Sequence, residues 1–137
     1  MRVFFDSSGL AKRYIRERGS DEVEKILSVA GELGLSVIAP AEVISALSRL
    51  RRQRAIAQGQ YDLAKRALFS DLEDVSVVGV TNSVVAGAIG LLEEYSIRTL
   101  DALHVASAAE WKADLFVSSD KRQIAAAVGR GLRARRV

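Results

Sequence analysis

What most limits the fold of this chain is a repeated alternation: short apolar runs are separated by longer stretches in which apolar residues recur every three or four positions. Arg2 to Phe5, Leu35 to Ala39, Val75 to Val80 and Leu115 to Ser118 read as strands. Helical patterns fill the intervals. One runs from Leu10 to about Glu17, and a second opens at Ser20 and Asp21, with Glu24 completing a capping signature, and reaches about Leu33. Pro40 sits where a third helix begins, a position that does not need its missing N–H, and Val43, Leu47 and Leu50 form that helix's apolar stripe. Beyond Gly59 a fourth covers Tyr61 to Leu72, with Leu63, Ala67 and Leu68 facing inward. Asn82 and Ser83 cap a fifth that ends near Tyr95, Thr99 starts a sixth over Leu100 to Lys112, and a seventh spans Arg122 to Val128. Leu132 to Val137 adds an edge strand. Strands separated by helices predict an α/β layer with a mostly parallel sheet.

A chain of 137 residues is long enough for one real core, so one domain over 1–137 is expected. Hydrophobic residues at 49% and charged residues at 27% place it among soluble globular proteins. Its longest weakly polar stretch, Val84 to Leu92, is far short of the ~20 residues of a membrane helix, and the N-terminus has no signal-peptide centre, which predicts a cytoplasmic protein. With no cysteine and one histidine, disulfides, thiol nucleophiles, zinc–thiolate sites and histidine-rich metal sites are excluded. Any metal must sit on oxygen.

In open parallel sheets, sites form beyond the carboxyl ends of the strands. Asp6 and Asp120 follow the apolar runs Val3-Phe4-Phe5 and Leu115-Phe116-Val117, with serines beside both. Glu42 and Asp101 fall in the first turns of two helices, so four acids from four segments could meet at one edge. Gathered carboxylates repel and need protons, basic partners or a cation. Magnesium suits such an all-oxygen site and can activate water without any catalytic histidine, serine or cysteine. Each acid also has a plainer use, as a helix cap or a partner for a helix dipole.

The blocks Val3-Phe4-Phe5-Asp6-Ser7-Ser8, Pro40-Ala41-Glu42, Leu100-Asp101-Ala102-Leu103-His104-Val105-Ala106 and Phe116-Val117-Ser118-Ser119-Asp120-Lys121-Arg122 together resemble the PIN-domain family, specifically VapC-like toxins of prokaryotic toxin–antitoxin pairs. The resemblance covers nearly the whole chain with the blocks in family order. It implies a three-layer PIN-like fold, endoribonuclease activity dependent on magnesium or manganese, a homodimer, and a cognate antitoxin as partner. By position, Asp6, Glu42, Asp101 and Asp120 match the family's acidic metal-site residues. Ser8 and Ser119 match small hydroxyl residues able to orient a carboxylate or water.

The net charge of +3 is unevenly spread: residues 121–137 carry six Lys/Arg and no acid. Arg49, Arg51, Arg52 and Arg54 form a second basic block on what reads as one helix, and Lys12 and Arg13 follow Asp6 by about two turns. All six are candidates for RNA phosphate, against the plainer reading of a solvated face. His104 shares a helical face with Asp101 and reads as a neutral packing residue, as does Trp111.

Other readings fare worse. A haloacid-dehalogenase-like phosphatase would want an aspartate two residues after Asp6, where Ser8 stands; a phosphorelay receiver would want an acidic pair near the first strand's end and a phosphoacceptor after the third. Neither pattern is present, and the glycines match no P-loop or dinucleotide fingerprint. A PIN-like module that binds RNA or protein without cutting is the remaining alternative.

Overall fold

Both faces of the first strand, β1 (Arg2–Phe5), are apolar, which suits the centre of a sheet covered on two sides. In a computed structural model that describes residues 1–137, β1 is indeed central to a five-stranded sheet. The other strands are β2 (Glu32–Ser36), β3 (Ser76–Val78), β4 (Leu115–Ser118) and β5 (Ala134–Arg136). Their order is β3-β2-β1-β4-β5, and every pairing is parallel. Seven helices connect them: α1 (Ser7–Tyr14), α2 (Ser20–Val29), α3 (Ala39–Arg52), α4 (Gln58–Asp71), α5 (Asn82–Glu94), α6 (Thr99–Glu110) and α7 (Lys121–Gly129). No helix is long and apolar enough to cross a membrane.

Alternation along the strands feeds two cores. Val3, Phe5, Leu35 and Val117 face α1 to α4, while Phe4 and Phe116 face α5 to α7, giving the three layers expected. Phe4 and Phe5 are 0% and 1% exposed, and burying a side chain of this size contributes about 1.5–3 kcal/mol. Strand order reverses beside β1: the chain builds β2 and β3 on one flank, then returns to add β4 and β5 on the other. A crevice forms at such a reversal, outside the carboxyl ends of β1 and β4.

Several boundaries differ from those expected. α1 begins at Ser7, three residues before Leu10, because the Asp6 carboxylate accepts the Gly9 N–H at 2.8 Å and caps the helix. β2 lies earlier than Leu35 to Ala39, since pairing Phe5 with Leu35 aligns both with the same core, and Val37 is left 48% exposed. Consequently α2 ends at Val29, short of Leu33. In α4 the inward residues are Tyr61, Ala64 and Leu68; Leu63 and Ala67 point outward because Tyr61 takes the core position and sets the helical phase. Thr81, whose hydroxyl accepts the Val84 N–H, caps α5 in place of Asn82.

Trp111 packs, as its helix-end position suggested. It lies against Phe4 with ring centroids 6.0 Å apart, and the Arg2 guanidinium sits 4.1 Å from its ring centre. The ring occupies the space over Gly34 of β2, where a Cβ would come 2.8 and 2.9 Å from Trp111 atoms and 3.0 Å from Phe4. Gly34→Ala is therefore expected to destabilise the protein by about 1–3 kcal/mol through overpacking, read as a lower denaturation midpoint at unchanged m-value.

Candidate active site

Asp6 emerges from β1 into the crevice, and its carboxylate is buried at 1% exposure. Such a group must be hydrogen-bonded to remain there. Oδ1 accepts the Gly9 N–H, Oδ2 accepts the Ser118 hydroxyl at 2.9 Å, and Ser8 Oγ lies 2.7 Å from Oδ2 and 2.9 Å from Oδ1. Gly9 passes so close to β4 that an added Cβ would meet the Val117 carbonyl at 3.0 Å, so the residue's smallness brings the α1 start against β4. Ser118 Oγ also accepts the Asp120 N–H at 3.0 Å, and Ser8 Oγ accepts the Ser119 N–H at 3.1 Å. Two hydroxyls thus lock the ends of β1 and β4 together.

The other acids arrive on helix starts. Glu42, in the first turn of α3, accepts on Oε1 from Ser7 Oγ at 2.7 Å, and the same oxygen lies 2.5 Å from His104 Nε2. Asp101, in the first turn of α6, accepts from Gln123 Nε2 at 3.0 Å and from the Arg98 N–H at 3.2 Å. Asp120 caps α7 by accepting the Arg122 N–H at 2.7 Å. All four acids line one open cavity of about 550 Å³, together with Ser7, Ser8, His104, Ser119 and Gln123. Capping and gathering therefore coexist at Asp6 and Asp120.

Burial pushes the Asp6 carboxyl above its ordinary range, opposed by the Gly9 N–H, Ser8 and Ser118. Partial burial also works against ionisation of Glu42, but the hydrogen bonds from His104 and Ser7 outweigh it and hold that carboxyl low. Asp101 is raised, first by burial and then by repulsion from Asp120 and Glu42, which the Arg98 N–H and His104 only partly offset. No Lys or Arg forms an ion pair with any of the four.

An all-oxygen, uncompensated donor set suits magnesium or manganese in charge and hardness. No three of the potential ligands stand close enough together in this structure to hold one ion, and the Asp6 oxygens are engaged by Ser8, Gly9 and Ser118.

The basic candidates separate. Arg49 lines the cavity. Arg52 is exposed beyond it, Arg51 rests 4.2 Å from the ring centre of Tyr61, and Arg54 lies past the end of α3 with a left-handed backbone, φ 59°, so the block does not share one helix. Lys12 bonds the Arg18 carbonyl at 2.5 Å and pairs with Glu17, closing the turn between α1 and α2. Arg13 faces away from the acids and makes two hydrogen bonds to Asp71 of α4, which also accepts from the Tyr14 hydroxyl at 2.7 Å. Ser119 lines the cavity, yet the hydroxyl that reaches Asp6 from this loop belongs to Ser118. Sequence reasoning also gave no role to Ser7 and Gln123. Gln123 carried no local signal, because only the packing of α7 beside α6 brings it to Asp101.

Fold and site together define an α/β protein that collects acids at the carboxyl edge of a parallel sheet. A family model described as PIN domain matches residues 3–129, and the chain belongs to the PIN-domain family. It is 32% identical over 113 residues to a curated protein named Ribonuclease VapC46 from Mycobacterium tuberculosis, covering 82% of this chain and 78% of that one. Among solved structures, the fold matches VapC20 of Mycobacterium tuberculosis, described as a sarcin–ricin loop cleaving toxin, with a TM-score of 0.69 at 17% identity over 90% of this chain and 94% of that one. A toxin–antitoxin complex from Klebsiella pneumoniae matches with a TM-score of 0.68 at 15% identity over 90% of each chain. The family resemblance carried by the four sequence blocks is borne out.

Two outcomes are expected. Arg13 holds the Asp71 carboxyl below its ordinary range, so its folded-state value lies under its unfolded one. The stability it adds is present above about pH 4 and is lost as pH falls through the lower folded value. Asp71→Asn should melt a few degrees below the parent at pH 7, with the gap closing in acid, as followed by circular dichroism. Asp101→Asn should melt above the parent in chelator, because one repelling charge is gone; a helix-cap role alone would give the opposite sign.

Proposed function

We propose that this chain is a magnesium- or manganese-dependent endoribonuclease that hydrolyses RNA phosphodiesters, acting as the toxin of a toxin–antitoxin pair. One observation carries the reading: four carboxylates from four segments line a single cavity with no Lys or Arg side chain paired to them. Family membership and the curated relative named as a ribonuclease support it. Asp6, Glu42, Asp101 and Asp120 would hold the ion. When bound, such an ion supplies the Lewis acidity that makes water nucleophilic at neutral pH and offsets charge growing on the leaving oxygen.

The chain's own groups supply position and charge. Asp6, buried and fully hydrogen-bonded, is the fixed point; Asp101 and Asp120 border the open side, where a ligand can be exchanged with water. Ser8 orients the Asp6 carboxylate, and Ser119 borders the entrance for water or phosphate. Arg49, which lines the cavity, would take a phosphate of the scissile region, and the exposed Arg52 and Arg54 would take flanking backbone without reading sequence. Lys12 and Arg13, engaged elsewhere in the fold, drop out of the RNA-binding set.

The proposed partners are RNA, a cognate antitoxin covering the acidic edge, and a second copy of the chain, all in the cytoplasm. For the homodimer, α5 offers an apolar stripe, Val85, Ile89 and Leu92, exposed at 40%, 51% and 37%.

Purified protein incubated with cellular RNA should cut in magnesium or manganese and stop in chelator. Asp6→Asn, Glu42→Gln and Asp101→Asn should each reduce cleavage by about two orders of magnitude or more, the loss typical of removing a preorganised charged group, with circular dichroism unchanged. Asp120→Asn should lose less, because water can replace a ligand at the open side. Near-parent turnover in any of the first three would overturn the site.

A further inference from the structure

His104 is the only histidine, it is 1% exposed, and it stands among the acids. Its Nε2 lies 2.5 Å from Glu42 Oε1 and 3.1 Å from Ser7 Oγ, whereas its buried Nδ1 has no hydrogen-bond partner. The two ring nitrogens are thus used unequally. With the proton on Nε2, the ring donates to Glu42 and leaves only a lone pair unmatched at Nδ1. With the proton on Nδ1, a buried N–H would be orphaned and Nε2 would set a lone pair against a carboxylate oxygen. The geometry places a proton on Nε2.

Both donors converge on one oxygen. Ser7 and His104 each reach Oε1 of Glu42, and Oε2 makes no hydrogen bond. The side chain is 29% exposed and borders the cavity. Ser7 opens α1 directly after Asp6, and His104 lies one turn beyond Asp101 on α6. The clamp therefore ties Glu42 of α3 to the two elements that carry Asp6 and Asp101.

We propose that His104, donating from Nε2 alongside Ser7, is a positioning residue that fixes Glu42 by Oε1 and reserves Oε2 for a divalent cation in the acid cavity. The inference rests on the metal-dependent reading above and adds to it a group that touches neither ion nor RNA. A donor behind a ligand orients it and removes the entropy of finding the bound geometry, and loss of such a donor typically weakens metal binding about 10–100-fold. A residue that only filled space would show no dependence on which ring nitrogen is mimicked.

The test compares His104→Gln, whose amide nitrogen reaches the place of Nε2, with His104→Asn, whose shorter amide reaches only that of Nδ1. Manganese affinity is measured by isothermal titration without RNA, alongside metal-free melting. His104→Asn should bind manganese about tenfold or more weakly, and His104→Gln should retain affinity within about threefold, even if both melt equally below the parent. Ser7→Ala removes the second donor with a minimal change of volume and should weaken binding several-fold. Equal losses in the two His104 variants, parent-like affinity in His104→Asn, or unchanged affinity in Ser7→Ala would each overturn the inference while leaving the metal site standing. A parent that binds no manganese would overturn the metal-dependent reading itself, and this inference with it.

Discussion

A carboxylate buried at the end of a central strand is the constraint on which the rest depends. Asp6 cannot be left at 1% exposure without donors for both oxygens, and two segments far apart in sequence supply them. One comes from the start of α1, through Gly9 and Ser8, and another from the end of β4, through Ser118. Satisfying Asp6 therefore fixes the join between the first and fourth strands. The same hydroxyls then accept the N–H groups of Ser119 and Asp120, which sets the path by which the fourth acid enters the cavity. Hydrogen-bond satisfaction and site assembly are one event here.

None of the donors that orient the acids is a lysine or arginine: they are three serine hydroxyls, backbone N–H groups, an amide and an imidazole. A lysine or arginine would hold a carboxylate equally well but would cancel the charge that a cation needs. Neutral donors give orientation and leave the field intact. The contrast with Asp71 is instructive. There Arg13 and Tyr14 saturate the carboxylate, and the result is a clasp between α1 and α4, well away from the cavity.

Much of this was legible because strands and caps are local signals. The apolar runs ending at Asp6 and before Asp120 marked the carboxyl ends of β1 and β4, and Pro40 and Thr99 marked the helix starts that carry Glu42 and Asp101. Lateral relations were less readable. The start of β2 depends on register with β1, so it could not be placed from residues 32–39 alone. Arg13 resembled a phosphate ligand in sequence because nothing local shows Asp71, 58 residues away, across the helix pair. Ser118 and Ser119 are equivalent to a composition argument; the strand's alternation sends only the first toward Asp6. The supports of the site are thus harder to read than the acids they support, since their meaning lies in which segment they face.

The pairing of β1 with β4 has a consequence in time. Asp6 and Ser118 are 112 residues apart, and the parallel register from Val3 with Leu115 to Phe5 with Val117 cannot form until β4 has been made. Contacts of such long sequence separation form slowly, because the loop must close before they contribute. A growing polypeptide that already displays Asp6 and Glu42 still lacks the strand that completes their surroundings. Synthesis from the N-terminus therefore keeps the acid cavity unassembled until β4 and the start of α7 have been made.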